Sequence, residues 1–408
     1  MTGALHIGID ISGKANVAQF MDADGELVRN ILLFSNDREG LEMFLNEVAT
    51  LVQKHHPDTV NIGMEATGFY WWHLQEALKD VQLGQSEVKI YTINPAMVKN
   101  FKKAYKKLPK TDAIDAWVIA DKIRFGRVSP LHPGSLLYAP LARLTRLRYT
   151  IKKNIRSDKS RALDLVFLKF STYRQAAGDK MFRKASLDML DEFTVEEIAK
   201  TPLEELVEFV LTQGNNRFAE PEEFVKELKK AARNSYRLNP KMEDAVSIAL
   251  SMTVENIRFM ESQCKRLEKV IAKELQAIPQ TLNTIPGIGE TLAAGIIAEI
   301  GDIKRFKDEK ALAQFAGLTW HVHKSGPFEA EETSLTKAGN VFLRYYLVEA
   351  ANSLRLHNSE YAAFYQRKYN ESKKHRHKRA LVLTARKFTR LVFALLSKGQ
   401  IYQKQEVS

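Results

Sequence analysis

The chain has 408 residues, with 61 lysines and arginines against 49 aspartates and glutamates, and a formal net charge of +12. Its apolar fraction of 45% supports buried cores over about two to four domains and excludes a disordered polymer. The basic excess favours a polyanion partner, nucleic acid before an anionic membrane, and the single cysteine, Cys264, excludes a disulfide framework, a thiolate zinc site and a multi-thiolate iron–sulfur cluster.

The N-terminal run MTGALHIGID has no basic start and no long apolar stretch, so a secretory signal is not expected. Nor does any segment approach about 18 uncharged apolar residues, so no membrane-spanning helix is expected. An intracellular protein with a basic bias is the reading. Residues 5–9, 16–21 and 26–34 read as strands, the first short and mostly apolar and the last ending in a β-branched and aliphatic run, and Asp22-Ala23-Asp24-Gly25 supplies a turn. From Asn36 a helical stripe of Leu41, Phe44, Leu45, Val48 and Leu51 takes over. Residues 59–64 and 88–93 read as buried strands, with a helix over 69–78 between them. This order, βββαβαβ and then helices, fits an RNase H-like core.

Two long helices are predicted, over 138–170 and 242–277. The first carries a seam of Leu141, Leu144, Arg148, Ile151, Ile155, Asp158, Ala162 and Leu165. The second carries Val246, Leu250, Thr253, Ile257, Met260, Cys264, Leu267 and Ile271. They read as an antiparallel coiled-coil arm, with ordinary bundle helices as the alternative. The insert between them is acidic: from Leu187 to Phe224 there are eleven acidic residues and two basic ones. It reads as a helical spacer or protein-contact module that avoids phosphates.

Four carboxylates carry the candidate chemistry. Asp10 ends the first strand, Glu65 ends the fourth, and Asp112 and Asp115 stand three apart on one helical face. Convergent carboxylates suit hard cations such as Mg2+, and a metal pair can clamp both oxygens of an in-line phosphoryl transfer. Immediately upstream, Lys99, Lys102, Lys103, Lys106, Lys107 and Lys110 form a run with no acid, which reads as a phosphate rail. Farther on, Pro286-Gly287-Ile288-Gly289 before an apolar helix reads as a helix-hairpin-helix whose backbone amides face a phosphate oxygen. Ser325 lies in a polar loop, Thr319 to Gly326, between Lys324 and a glycine, with His321 and His323 nearby. A second loop from Thr333 to Asn340 holds Ser334, Thr336 and Lys337 and leads into a helix with Arg344. The cluster Lys373, Lys374, Arg376, Lys378 and Arg379 follows Tyr361, Phe364, Tyr365 and Tyr369, a mixture suited to nucleic-acid grooves and unpaired bases.

With these residues in view, the sequence resembles the DEDD transposases, the RuvC-like recombinases of bridge-RNA-guided insertion sequences, which include site-specific DNA invertases. The resemblance rests on Gly8-Ile9-Asp10, Glu65-Ala66-Thr67-Gly68, Ile93-Asn94-Pro95-Ala96 and Lys110 to Ala116 at one end. At the other it rests on Ile285 to Gly289, Phe315 to Leu318, Ser325-Gly326 and Thr336 to Gly339. It implies an α/β plus all-α chain: a RuvC-like DEDD catalytic domain over 1–130, a coiled-coil arm over 131–280 with its acidic insert at about 171–240, and a mostly helical C-terminal transposase domain over 281–408. It implies that Asp10, Glu65, Asp112 and Asp115 bind Mg2+, with Mn2+ as a substitute, and that Ser325 is the nucleophile. In the family a serine usually precedes the lysine of the second loop, where this chain has Thr336. Cleavage through a covalent serine–phosphate intermediate would conserve the phosphodiester bond without ATP. The implied partners are target and donor double-stranded DNA, a structured noncoding guide RNA, and a second copy in a homodimer that assembles to a homotetramer, with no membrane. The implied location is the prokaryotic cytoplasm, at the nucleoid. Two other readings stand beside it: a RuvC-like nuclease that hydrolyses DNA with activated water and does not need Ser325, and a catalytically inert nucleic-acid-binding protein.

Overall fold

The computed structural model describes residues 3–105, 107–128, 137–321 and 334–403, together with the backbone of Lys324–Ser325 and Phe328–Glu329. Within these residues the chain divides into two compact units, the second beginning at Leu137.

The first unit is built on a sheet of β1 (Ala4–Asp10), β2 (Ala15–Met21), β3 (Leu32–Ser35), β4 (Thr59–Glu65) and β5 (Glu87–Ile93). Its order is β3-β2-β1-β4-β5, with β3, β2 and β1 antiparallel and β1, β4 and β5 parallel. The third strand is shorter than its sequence suggests. Leu27 makes only an isolated bridge to Met21, and the apolar run before Leu32 lies outside the ladder.

Strand alternation divides the sheet into two faces. Leu5, Ile7, Ile9, Val60, Ile62 and Met64 face one core. That core is closed by Phe44, Val48 and Leu51 of α1 (Arg38–His55) and by Leu74 and Leu78 of α2 (Trp71–Leu78). The alternate positions Gly8 and Gly63 are register partners on the opposite face. There the helix α4 (Asp112–Phe125) crosses β1, β2 and β4, and the shorter α3 (Pro95–Lys102) packs beside it. The contact is unusually close. A Cβ built on Gly8 would stand 2.1 Å from the Ala116 carbonyl oxygen and 2.3 Å from the Ala120 amide. One built on Gly63 would stand 2.9 Å from Ile123.

The second unit begins with α5 (Ala139–Lys169), continues through α6 (Tyr173–Ala177), α7 (Lys184–Glu192), α8 (Val195–Lys200), α9 (Leu203–Gln213) and α10 (Pro221–Arg233), and returns along α11 (Pro240–Gln276). The helices α5 and α11 pair antiparallel, since Arg148 Nη2 meets Glu268 at 2.8 Å while Asn256 Nδ2 donates to Asp158 at 2.6 Å. The two polar interruptions of the seam, Arg148 and Asp158, are thus matched across the arm. Along α11 the buried seam is Val246, Leu250, Val254, Ile257, Cys264, Ile271 and Leu275. Thr253, Met260 and Leu267 are only partly buried, because a straight 3.6-residue helix drifts from a strict heptad.

At one end of the arm Ile155, Ala162, Val166, Leu250, Val254 and Ile257 join the core of the insert. At the other end Leu141, Ile271 and Leu275 join the core of α12 (Glu290–Ile300), α13 (Glu309–Phe315), α14 (Val341–His357), α15 (Ser359–Glu371) and α16 (Arg376–Lys398). This shared core makes the arm and the C-terminal helices one unit where the sequence suggests a boundary near residue 280. The strands β6 (Lys324–Ser325) and β7 (Phe328–Glu329) pair antiparallel. No helix among the described residues is long and apolar enough to cross a membrane.

Replacing Gly8 with alanine should cost about 3 kcal/mol, because the atoms in the way belong to the α4 backbone and cannot rotate aside. Urea denaturation monitored by circular dichroism would measure the loss.

Candidate active site and nucleic-acid interface

The pleat that turns Gly8 and Gly63 toward α4 also turns Asp10 and Glu65 toward it, two residues further along the same faces. On α4, Asp112 lies one turn before Ala116, on the face that covers Gly8. Thr111 caps the helix by accepting from the Ile114 amide at 3.3 Å, and Asp112 and Asp115 occupy the first turn, where the helix dipole favours anions. The charges of the four meet. Burial, followed by the charges of Asp112, Asp115 and Glu65, pushes the Asp10 carboxyl up from 3.8 to about 6, against a stabilising contact from the Ile11 amide.

Two neighbours restrain this cluster. Thr67 Oγ1 donates to Glu65 Oε1 at 2.5 Å. Lys102 of α3 forms an ion pair with Asp115. Among the described residues no group of three or more His, Cys, Asp or Glu side chains is drawn in around one point. The carboxylates are near enough to repel and are not closed into a cage. Their chemistry still fits a hard divalent cation: the donors are all oxygen, and the neighbouring negative charges, which add to burial in raising Asp10, are what such an ion offsets.

Ser325 belongs to the second unit, in β6, where it is the register partner of Phe328. The side chains of Ser325 and Lys324, and all of Lys106, His323 and Gly326, lie outside the described residues. What the sequence presents as two loops is one paired ribbon at its base. Trp320 bridges Leu335, the His321 amide donates to the Ser334 carbonyl at 3.0 Å, and the Thr336 amide donates to the Thr319 carbonyl at 2.8 Å. The hydroxyls of Thr319 and Thr336 lie 3.0 Å apart in a hydrogen bond.

The base of this ribbon is anchored by a buried acid. Glu299 is 4% exposed and receives Arg146 Nε at 2.7 Å and Nη2 at 2.8 Å. Asn340 Nδ2 donates to it at 2.6 Å, while Asn340 Oδ1 caps α14. Arg344, which the sequence suggests as a phosphate contact, donates from Nη1 to the carbonyls of Ala316 at 3.0 Å and Lys337 at 3.2 Å. It ties the two sides of the ribbon base together. Lys337 has a left-handed φ of 53° and an exposed side chain.

The other cations sort by what they touch. Lys102 is committed to Asp115. Lys99, Lys107 and Lys110 are exposed, and exposed Lys103 donates to Asn100 Oδ1 at 3.3 Å. Lys373, Lys374, Arg376 and Lys378 are exposed, and Arg379 is half-buried. Arg376, Lys378 and Arg379 sit in the first turn of α16, where the helix end is itself positive, so a bound phosphate would offset both. Tyr361 is core, at 2% exposure, whereas Tyr365 bonds His377 at 2.6 Å and lies under Arg355. Gly287 makes the hairpin turn at φ 90°, and Gly289 begins α12 with open space where its side chain would be. Before that turn stands only a short 3-10 turn, Leu282–Thr284.

Sequence reasoning did not single out Arg146 or Glu299, named Thr67 only within a motif, and gave Asn340 only as a helix start, which its cap on α14 bears out. Glu299 had one local signal, a lone charge in the apolar run Leu292–Ile300. Its partners Arg146 and Asn340 lie 153 and 41 residues away, beyond any local pattern.

Comparisons with known proteins match both ends of the chain. A transposase family model, the DEDD transposase of IS110 elements, matches residues 7–169. The model described as "Transposase IS116/IS110/IS902 family" matches residues 279–366. The chain is 31% identical to the transposase for insertion sequence element IS1111A of Coxiella burnetii over 127 residues, 30% of this chain and 34% of that protein. It is 22% identical to an uncharacterized 44.8 kDa protein of insertion element IS116 from Streptomyces clavuligerus over 401 residues, 97% of this chain and 95% of that one. It is 28% identical to the pilin gene-inverting protein of Moraxella bovis over 171 residues, 40% of this chain and 52% of that one. Against the Coxiella and Moraxella proteins the match thus spans about a third and about half of their lengths.

The raised Asp10 has a thermodynamic consequence. Its folded value of about 6 exceeds the ordinary 3.8, so the folded chain holds this proton more tightly. The associated stability is complete below pH 3.8 and is lost as pH rises through about 6. Asp10→Asn should therefore raise the melting midpoint at pH 8 by about 3 °C, with the gain shrinking toward pH 4. Adding Mg2+ at pH 8 should raise the wild-type midpoint more than that of the variant. Differential scanning fluorimetry across this pH range would read both effects.

Proposed function

The chain belongs to the IS110/IS116/IS902 family of transposases, and on that footing we propose that it is a Mg2+-dependent recombinase that cuts and rejoins DNA through Ser325. The observation that carries this reading is the electrostatic convergence of Asp10 with Asp112, Asp115 and Glu65 at one edge of the sheet. The strand order, three antiparallel strands extended by two parallel ones, supports an RNase H-like catalytic domain. The Gly287 turn running into α12 supports a phosphate-binding hairpin.

Asp10, Glu65, Asp112 and Asp115 would hold Mg2+ or Mn2+. Such an ion supplies Lewis-acid polarisation of the phosphate and eases loss of a proton from the attacking hydroxyl. The residues of the chain do the rest. Lys99, Lys107 and Lys110 hold the DNA backbone beside the carboxylates. Lys102 neutralises Asp115, which limits the repulsion the cluster stores. The Glu299 anchor and the Arg344 tie hold the base of the ribbon that carries Ser325. The Ser325 oxygen bonds to phosphorus as the scissile phosphorus–oxygen bond breaks. The serine hydroxyl gives up its proton, and the departing deoxyribose oxygen gains one. One ester replaces another, so the reverse attack reseals the strand with no ATP.

The guide RNA, and the dimer that pairs into a tetramer on target and donor DNA, rest on the motif resemblance. Base pairing by that RNA would choose the target, leaving the protein to read backbone and shape. A location at the prokaryotic nucleoid follows from the same reading.

Ser325→Ala should abolish a covalent protein–DNA adduct on a denaturing gel, and Asp112→Asn should abolish cleavage while leaving DNA binding intact. An undiminished adduct in Ser325→Ala would move the nucleophile to Ser334, Thr336 or a tyrosine. Cleavage by the wild type with no adduct would make the reaction hydrolysis by activated water. Sequencing of RNA that copurifies with the protein should return one discrete structured species. A mixture without a dominant species would sink the guided reading.

A further inference from the structure

Beyond the carboxylate edge, the chain after Glu65 runs Ala66-Thr67-Gly68-Phe69-Tyr70-Trp71-Trp72. Large aromatic rings usually hide, yet Phe69 is 66% exposed and Tyr70 57% exposed. The segment is held in place rather than loosely displayed. Asn36 Nδ2 donates to the Tyr70 carbonyl at 3.1 Å and to the Ser12 carbonyl at 2.9 Å. One amide therefore ties the loop that follows Glu65 to the loop that follows Asp10. The Tyr70 ring also lies against Gly13, where an added Cβ would stand 3.0 Å from it. Trp71 Nε1 donates to the Gly68 carbonyl at 3.1 Å, and the Trp72 amide donates to Phe69 at 3.1 Å. Exposed Lys14 is the next residue after Gly13.

From this placement we propose that Phe69 and Tyr70 form a stacking platform for an unpaired base of the DNA strand at the carboxylate edge. The inference deepens the recombinase reading and rests on it. Two rings are far too small a surface for a stable protein interface, which needs about 800 Å² from each partner. A ring face matches a single base in area, and stacking on aromatics tolerates any base. Because the loop is tied by Asn36 and seated on Gly13, little freedom is lost when a base arrives. The adjacent Lys14 suits the phosphate of the same nucleotide. A strand opened for pairing or cutting would thus be kept from reclosing next to the phosphate to be transferred.

The test uses the full-length protein in EDTA and a DNA duplex interrupted by an unpaired tract that carries 2-aminopurine. The fully paired duplex of the same sequence is the comparison. Wild type should bind the interrupted duplex and quench the 2-aminopurine. The double variant of Phe69→Ala and Tyr70→Ala should bind it about tenfold more weakly, lose the quench, and bind the paired duplex as before. Phe69→Trp should keep both affinity and quench. Equal losses on the two duplexes, or no loss on either, would overturn the proposal. If the double variant melts below the wild type, Phe69→Ala alone carries the test, since that ring is the more exposed of the two. No strand is cut in EDTA, so these outcomes are independent of whether Ser325 forms an adduct.

Discussion

The candidate active site depends on one close contact, that of α4 with the glycine pair Gly8 and Gly63. Neither position has room for a side chain under the helix. At Gly8 the contact is backbone on backbone, and at Gly63 it is with the side chains of Ile119 and Ile123, so α4 is seated tightly over both positions. The first turn of α4 is thereby fixed over the ends of β1 and β4. Asp112 and Asp115 then face Asp10 and Glu65 as a matter of register, and the repulsion felt by Asp10 is the cost of that register. The packing energy of Val118, Ile119 and Ile123 against Ile93 and Val98 holds the charges together.

Several buried charges elsewhere among the described residues are handled by pairing. Glu299 is satisfied by both arms of Arg146 and by Asn340. Arg148 and Asp158 find Glu268 and Asn256 across the arm. These groups are nearly complete in their hydrogen bonds, which is the condition under which buried polarity is tolerated. In the carboxylate cluster Lys102 offsets Asp115, the Thr67 hydroxyl donates to Glu65, and Asp10 keeps a raised carboxyl. Burial and the charges of Asp112, Asp115 and Glu65 together perturb Asp10 at this edge, a perturbation of the kind that clusters at functional sites.

Much of this was legible in the sequence. Short apolar runs and the glycines beside Asp10 and Glu65 located the sheet and its acidic edge, and the three-residue spacing of Asp112 and Asp115 placed both in one helical turn. The long helices were visible from their periodicity, and even their polar interruptions were correctly read as seam positions. What failed was long-range. The run before Leu32 has strand-like composition but no neighbour to pair with beyond the bridge at Leu27. Lys102 and Arg344 look like free cations in sequence and are used internally in the structure. The role of Asn36 has no local signal at all, since its two acceptors lie 24 and 34 residues away. The core that Ile271 and Leu275 share with residues up to Leu395 has no local signal either.

The arm has a hydrophobic core at each end, and the two draw on different residues. Ile155, Ala162 and Ile257 serve the insert, whereas Leu141, Ile271 and Leu275 serve the C-terminal helices. Cores that share no residue can be gained or lost separately. The insert is therefore a core of its own mounted on a two-helix stem, and a change of packing inside it need not reach the core beneath the C-terminal helices.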